Sequence, residues 1–161
     1  MKEEYVNPFL VPAKLVWEKE MKQALELESA ELVSHQFTTE DITAVIGVSG
    51  QLQGSVLYGF SMETAKSLIS TMLGDGVNAS DGIALSALGE IANIIAGNAA
   101  TNLAEQGYTC SISPPVMLEP MGSRISTLGG SQILVSFTSA VGPLHIRISL
   151  YENHSYNDPG N

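Results

Sequence analysis

The stretch SALGEIANIIAGNAATNLA, Ser86–Ala104, is the longest run of helical spacing without proline in this chain of 161 residues. Leu88, Ile91, Ile95 and Ala99 recur at i, i+3, i+7 and i+11, and so line one face of a helix. At about 100° per residue, Ser86, Glu90, Asn93, Gly97 and Ala104 fall on roughly the opposite face. An ordinary solvated helix face carries Lys, Glu and Arg in quantity. Here the only long polar groups are one carboxylate and one amide, at i and i+3, with a glycine one turn beyond the amide. Two functional groups thus stand about one turn apart on a rigid rod, among residues small enough to let another surface come close. An acid and an asparagine at this spacing are also a common accident, so the spacing alone does not make a site. Asn98 and Asn102, near the edge of the apolar face, are expected to bond neighbouring backbone rather than do chemistry.

Outward from this helix, the chain alternates between helical and strand-like character. Residues 1–29 carry Asn7-Pro8, an N-cap followed by proline at the first helical position. Leu10, Leu15, Val16, Trp17, Met21 and Leu25 then recur at roughly helical spacing, with Pro12 expected to kink the first turn or delay the helix. Lys14, Glu18, Lys19, Lys22 and Glu26 form its solvated face. Residues 30–60 are rich in β-branched and aromatic residues and punctuated by glycine, which predicts strands at 42–49 and 52–60 joined at Ser49-Gly50-Gln51. His35 lies in strand-like sequence and is expected to be structural. A short helix over 61–76 is capped by Ser61 and closed by Gly74. Ser80 or Asp81 caps the central helix, which ends near Gly107.

Residues 108–150 are strand-like again. TCSISPPVMLEP, with adjacent prolines, belongs at a sheet edge. QILVSFTSA and PLHIRISLY alternate well around a Val141-Gly142-Pro143 turn and place His145 and Arg147 on the polar face of a final strand. Residues 151–161 are expected to form a flexible C-terminal tail beyond a single domain at 1–150. Helix, two strands, two helices and two to four strands is not strict βα alternation. It predicts an α+β fold with an antiparallel or mixed sheet packed against long helices.

Composition narrows the function. With 7 basic against 17 acidic residues, the net charge is −10. Nucleic acid and anionic membrane both need clustered Lys and Arg, so neither is expected as a partner. Only 15% of residues are charged against 44% apolar, which suggests surface buried against another copy or a partner. The single cysteine, Cys110, fits a reducing, cytoplasmic compartment. No apolar run approaches a membrane span, and MKEEYVNPFL does not read as a signal peptide. The three histidines lack metal-ligand spacing. Phosphate-loop, dinucleotide and Ser or Cys nucleophile signatures are missing.

Three segments resemble the CheX family of chemotaxis phosphatases, within the CheC/CheX/FliY group: EYVNPFL (Glu4–Leu10), GVSGQLQGSVLYGFSMETA (Gly47–Ala65) and LGEIANIIAGNA (Leu88–Ala99). The last is the most specific, built on Glu-x-x-Asn. The resemblance implies removal of the phosphoryl group from the aspartyl phosphate of a CheY-type response regulator. By that analogy Glu90 forms an ion pair with the lysine of the regulator's active site, and Asn93 enters that site and orients the attacking water. Ser86 and Gly97 then belong to the partner-docking face. Mg²⁺ is expected on the regulator, and this chain needs no cofactor of its own. Some family members carry an acid where Ser86 stands. The family also places a proline some twenty residues after the Asn, a distance near Pro114-Pro115. The resemblance also takes in related chains of similar fold that serve as switch-complex components or bind other chemotaxis proteins without catalysis, so a non-catalytic binding module is the alternative. A homodimer is expected, from the low charge, the open strand edges and a family that commonly dimerises through its sheet.

Overall fold

The computed structural model describes residues 1–119, 124–157 and 159–160, with the side chains of 35–38 and 124–130 outside that description. After a 3₁₀ turn at Glu3–Tyr5, the elements run α1 (Asn7–Met21), β1 (Glu26–Thr38), β2 (Ile42–Gly50), β3 (Leu52–Phe60), α2 (Met62–Leu73), α3 (Gly82–Glu105), β4 (Cys110–Ile112), β5 (Val116–Leu118), β6 (Arg124–Thr138) and β7 (Leu144–Glu152). The sheet has seven strands in the order β1-β6-β7-β3-β2-β4, with β5 also on β2. Every described pairing is antiparallel, which resolves the antiparallel-or-mixed expectation. The fold is α+β.

The layers follow from strand alternation. On β7, Leu144, Ile146, Ile148 and Leu150 are buried and join the same core as Trp17, Phe9 and the apolar face of α3. His145 and Arg147, between them, are half exposed on the other face, as expected. On α3, Leu88, Ile91, Ile95 and Ala99 are all at most 2% exposed. α3 is 24 residues long and, by length and composition alone, apolar enough to cross a membrane, contrary to the sequence expectation. The apolar residues of its inner face lie in the core, and half of the qualifying window is buried inside the protein.

The β2–β3 hairpin lies where the sequence put it, turning at Gly50-Gln51. α2 is capped as expected, the Ser61 Oγ accepting from the Thr64 N–H at 3.1 Å. Asp81 is the N-cap position of α3. The prolines after β4 do lie at a sheet edge, where β4 and β5 both pair with β2.

Three expectations need correction. Asn7 is the first residue of α1 rather than its cap: the 3₁₀ turn already carries the chain in, and Val6 is the N-cap position. α1 ends at Met21, with Lys22 left-handed at φ 56°, and Glu26 starts β1. The acidic ELESA segment is therefore strand, because β6 pairs it over a long ladder. β7 runs on to Glu152, which accepts a hydrogen bond from the Tyr5 hydroxyl at 2.9 Å. Asn153 is also tied to the β2–β3 turn through Gln51 and Gly50. The side chain of His35 lies outside the described residues.

The third correction concerns Pro12, which is buried within α1: the helix starts at Asn7 and runs through it, so Pro12 does not delay the helix. A proline there leaves the carbonyl of Pro8, four residues back, without its helical N–H. The Asn102 side-chain amide, from α3, donates to that carbonyl at 3.1 Å. Asn102 thus bonds backbone, as its place on the helix suggested. Asn102→Ala is expected to destabilise the fold by about 1–2 kcal/mol, the cost of leaving a part-buried carbonyl unmet. Urea unfolding, read as a lower midpoint at unchanged slope, checks this.

Candidate functional site

α3 is a rigid platform because one side is fixed in the core. Its other side carries two adjacent ridges of the i, i+4, i+8 kind. One is Gly89, Asn93 and Gly97, so Asn93 is the only side chain on it. The other is Ser86, Glu90 and Ile94. Ser86 and Glu90 are exposed, while Asn93 and Gly97 are half-buried. The four residues named from sequence are thus brought together on one surface. Glu90 and Asn93 stand about 4.5 Å apart along the helix axis.

The glycines set how closely the sheet edge approaches. A Cβ at Gly89 would stand 3.2 Å from both Pro115 Cγ and Met117 Sδ, and one at Gly97 would stand 3.9 Å from Ile112 Cδ1. β4, β5 and the prolines between them therefore lie against the flank of α3 on which Asn93 stands. Gly89 was not singled out from sequence, since its role depends on a strand that arrives later in the chain. Pro115 was noted from sequence for its place at a sheet edge and its distance from Asn93, not for contact with α3.

The electrostatics are sparse. Glu90 is the only charged residue between Ile83 and Ala104. Among the described residues it makes no salt bridge, and the Asn93 amide makes no hydrogen bond. A half-buried amide normally finds a partner. This one keeps its donor and acceptor available beside a carboxylate with no cation of its own. Across the sheet, His145 Nδ1 and Glu40 Oε1 pair at 2.7 Å. That contact holds the Glu40 carboxyl below the usual carboxylate range, while burial pulls the Arg147 guanidinium down against the opposing pull of Glu40. Those charges lie on the face away from α3. Among the described residues, no three His, Cys, Asp or Glu side chains are grouped as a metal site requires.

The family model described as chemotaxis phosphatase CheX matches residues 42–138, a span that holds both Glu90 and Asn93. The chain is 38% identical over 98 residues to the CheY-P phosphatase CheX of Thermotoga maritima. The alignment takes in 60% of this chain and 63% of that relative's length. Among solved structures, chemotaxis protein CheX from Vibrio vulnificus superposes with a TM-score of 0.82 at 28% identity, covering 92% of this chain and 99% of that one. A CheC-like chemotactic protein from Shewanella oneidensis gives 0.81 at 25% identity, covering 94% and 100%.

Proposed function

The chain belongs to the chemotaxis phosphatase CheX family, and on that footing we propose that it dephosphorylates a CheY-type response regulator, with α3 as the element that enters the partner's active site. The observation that carries this is the pair of unpartnered groups, exposed Glu90 and, beside the β4–β5 edge, half-buried Asn93, on the nearly uncharged face of a helix whose other face is locked in the core. The curated Thermotoga relative, named a CheY-P phosphatase, supports the same class of substrate.

The chemistry suits these residue types. Phosphoryl transfer needs positioning and charge stabilisation more than covalent work by the catalyst. Water oxygen bonds to phosphorus as the bond from phosphorus to the aspartyl oxygen breaks, giving free aspartate and inorganic phosphate. The regulator's own lysine and Mg²⁺ meet the phosphoryl charge, so this chain supplies no cofactor. Asn93 donates and accepts, which suits it to hold the attacking water, and it stays neutral beside a group of about −2 charge. A carboxylate at 93 would be repelled. Glu90, one turn away, meets the regulator's lysine and sets the register of docking. Ser86 and Gly97 keep the surface low enough for contact.

The test is the decay of phosphorylated regulators of the CheY class, followed with and without the protein. Acceleration is expected. Glu90→Gln is expected to raise KM by roughly 3- to 10-fold while leaving kcat near wild type, because an exposed pair sets docking more than chemistry. Binding of the regulator without any acceleration would instead establish a non-catalytic binding module.

A homodimer in a cytoplasmic setting completes the proposal. β1 is the terminal strand of the sheet, and Leu32 on it is 69% exposed. On α1, Val11 and Leu15 are 59% and 61% exposed. A strand edge with apolar side chains invites pairing with another chain. Light scattering at micromolar concentration should give twice the monomer mass, and Leu32→Lys should shift it towards monomer. A monomeric wild type would end the dimer proposal.

A further inference from the structure

Two residues interrupt the small-residue character of the α3 face. Ile83 is 64% exposed and Ile94 is 38% exposed. At about 100° per residue both lie within roughly 40° of Glu90, on the side away from Asn93. They stand about 16 Å apart along the axis, with Glu90 between them. A single exposed isoleucine is ordinary. Two of them bracketing the only charge on a face, with that charge lacking an internal cation, form a graded surface: water-holding amide on one flank, carboxylate at the centre, apolar posts on the other flank.

We propose that Ile83 and Ile94 determine which partner this face accepts: response regulators whose cation beside the phosphorylated aspartate is bordered by apolar side chains. The inference rests on the phosphatase reading and adds to it the source of selectivity. The occupant follows from charge complementarity. A carboxylate with no partner in a chain of net charge −10 calls for a cation, and the flanking isoleucines call for apolar neighbours around it. An exposed ion pair alone contributes little. Apolar groups that expel water around such a pair lower the local dielectric and strengthen it, as the near-neutral ring around an interface hot spot does. A regulator that brings a charged group to either isoleucine must strip it of water without compensation, and is rejected.

The experiment uses the full chain and regulators held in the activated form with beryllofluoride and Mg²⁺, so that binding is read apart from hydrolysis. The double variant Ile83→Gln/Ile94→Gln keeps helix-compatible side chains at two exposed positions, and circular dichroism checks that it folds. Its Kd for the cognate regulator is expected to rise roughly 10- to 100-fold, with KM rising in parallel and kcat at saturation retained. A charge introduced on the regulator beside its active-site lysine should weaken wild-type binding and leave the already weakened double variant little changed. Unchanged Kd in the double variant, with an active wild type, overturns the selectivity role and leaves the phosphatase standing. A double variant that changes the dimer mass but not the Kd assigns the isoleucines to a second copy and overturns it too. Failure of the wild type to bind or dephosphorylate any regulator overturns the phosphatase reading, and the inference with it.

Discussion

Asn93→Ala is expected to lower kcat for regulator dephosphorylation by about 10²- to 10³-fold, with the Kd for the activated regulator little changed. The asymmetry is the informative part. Asn93 is alone on its ridge, with glycines one turn before and one turn after, so its removal deletes the one group that reaches forward there. Nothing collapses into the space, because Ile91, Ala92, Ile95 and Ala96 hold the helix in the core without it. Thermal stability should stay within about 0.5 kcal/mol of wild type, as for other substitutions away from the core. Asn93→Asp is expected to be as inactive as the alanine variant at neutral pH, since the carboxylate faces the phosphoryl charge. Rapid-quench measurement of phosphorylated regulator decay checks both. Retention of full activity by Asn93→Ala would move the water-holding role to another residue.

Gly54→Ala is expected to be the most damaging methyl addition among the described glycines, costing at least about 3 kcal/mol. Gly54 sits in β3 at φ 145°, where L residues are strained. An ideal Cβ there would lie 1.9 Å from the carbonyl oxygen of Ser149 on the neighbouring β7. That neighbour is strand backbone and cannot swing aside as a long side chain would. The β3–β7 ladder, which runs from Leu52–Glu152 to Phe60–Leu144, would have to part at the Gly54–Leu150 pair, near its Leu52 end. Against a typical domain stability of about 5–15 kcal/mol, this approaches unfolding at physiological temperature. A urea denaturation series, with Ser55→Ala as a control, gives the cost. Within the glycine-punctuated Gly47–Phe60 span, Gly50 and Gly54 face neighbouring backbone while Gly47 and Gly59 face the Ser113 and Glu40 side chains, and Gly54 is the most demanding.

How much of this was legible in the sequence depends on where each element finds its partners. α3 could be read from its own residues, because one arc is apolar and the other nearly free of charge. The Glu90–Asn93 pair came with it. The β2–β3 hairpin was equally local, its turn residues lying between two alternating runs. β1 was misjudged at its start because Leu25 and Glu26 continue a helical rhythm. Strand character there comes from β6, whose partner residue for Glu26 is Thr138. Pro12 suggested a broken helix for the same reason: the repair comes from α3. At the site, in the run Ile94-Ile95, the helical period sets Ile94 beside Glu90 rather than on the core face, and packing gives the degree of it: Ile95 is 1% exposed and Ile94 38%. Gly89 was illegible without β5, since a glycine in a helix gives no sign of what will lie against it.

The bond from Asn102 to Pro8 has a consequence for how the molecule opens. A helix normally closes its own hydrogen-bond ladder, so it can fray and re-form as a local event. α1 cannot complete its ladder alone, because the donor for one of its inner carbonyls is 94 residues away. Its backbone is whole only while the last turns of α3 are in place. The N-terminal helix and the helix that carries Glu90 and Asn93 are thereby joined into one cooperative unit, in which local breathing of the first is penalised by the second. A proline that would be a weak point in an isolated helix becomes, through one amide, a clasp that makes the helix bearing Glu90 and Asn93 and the front of the chain rise and fall together.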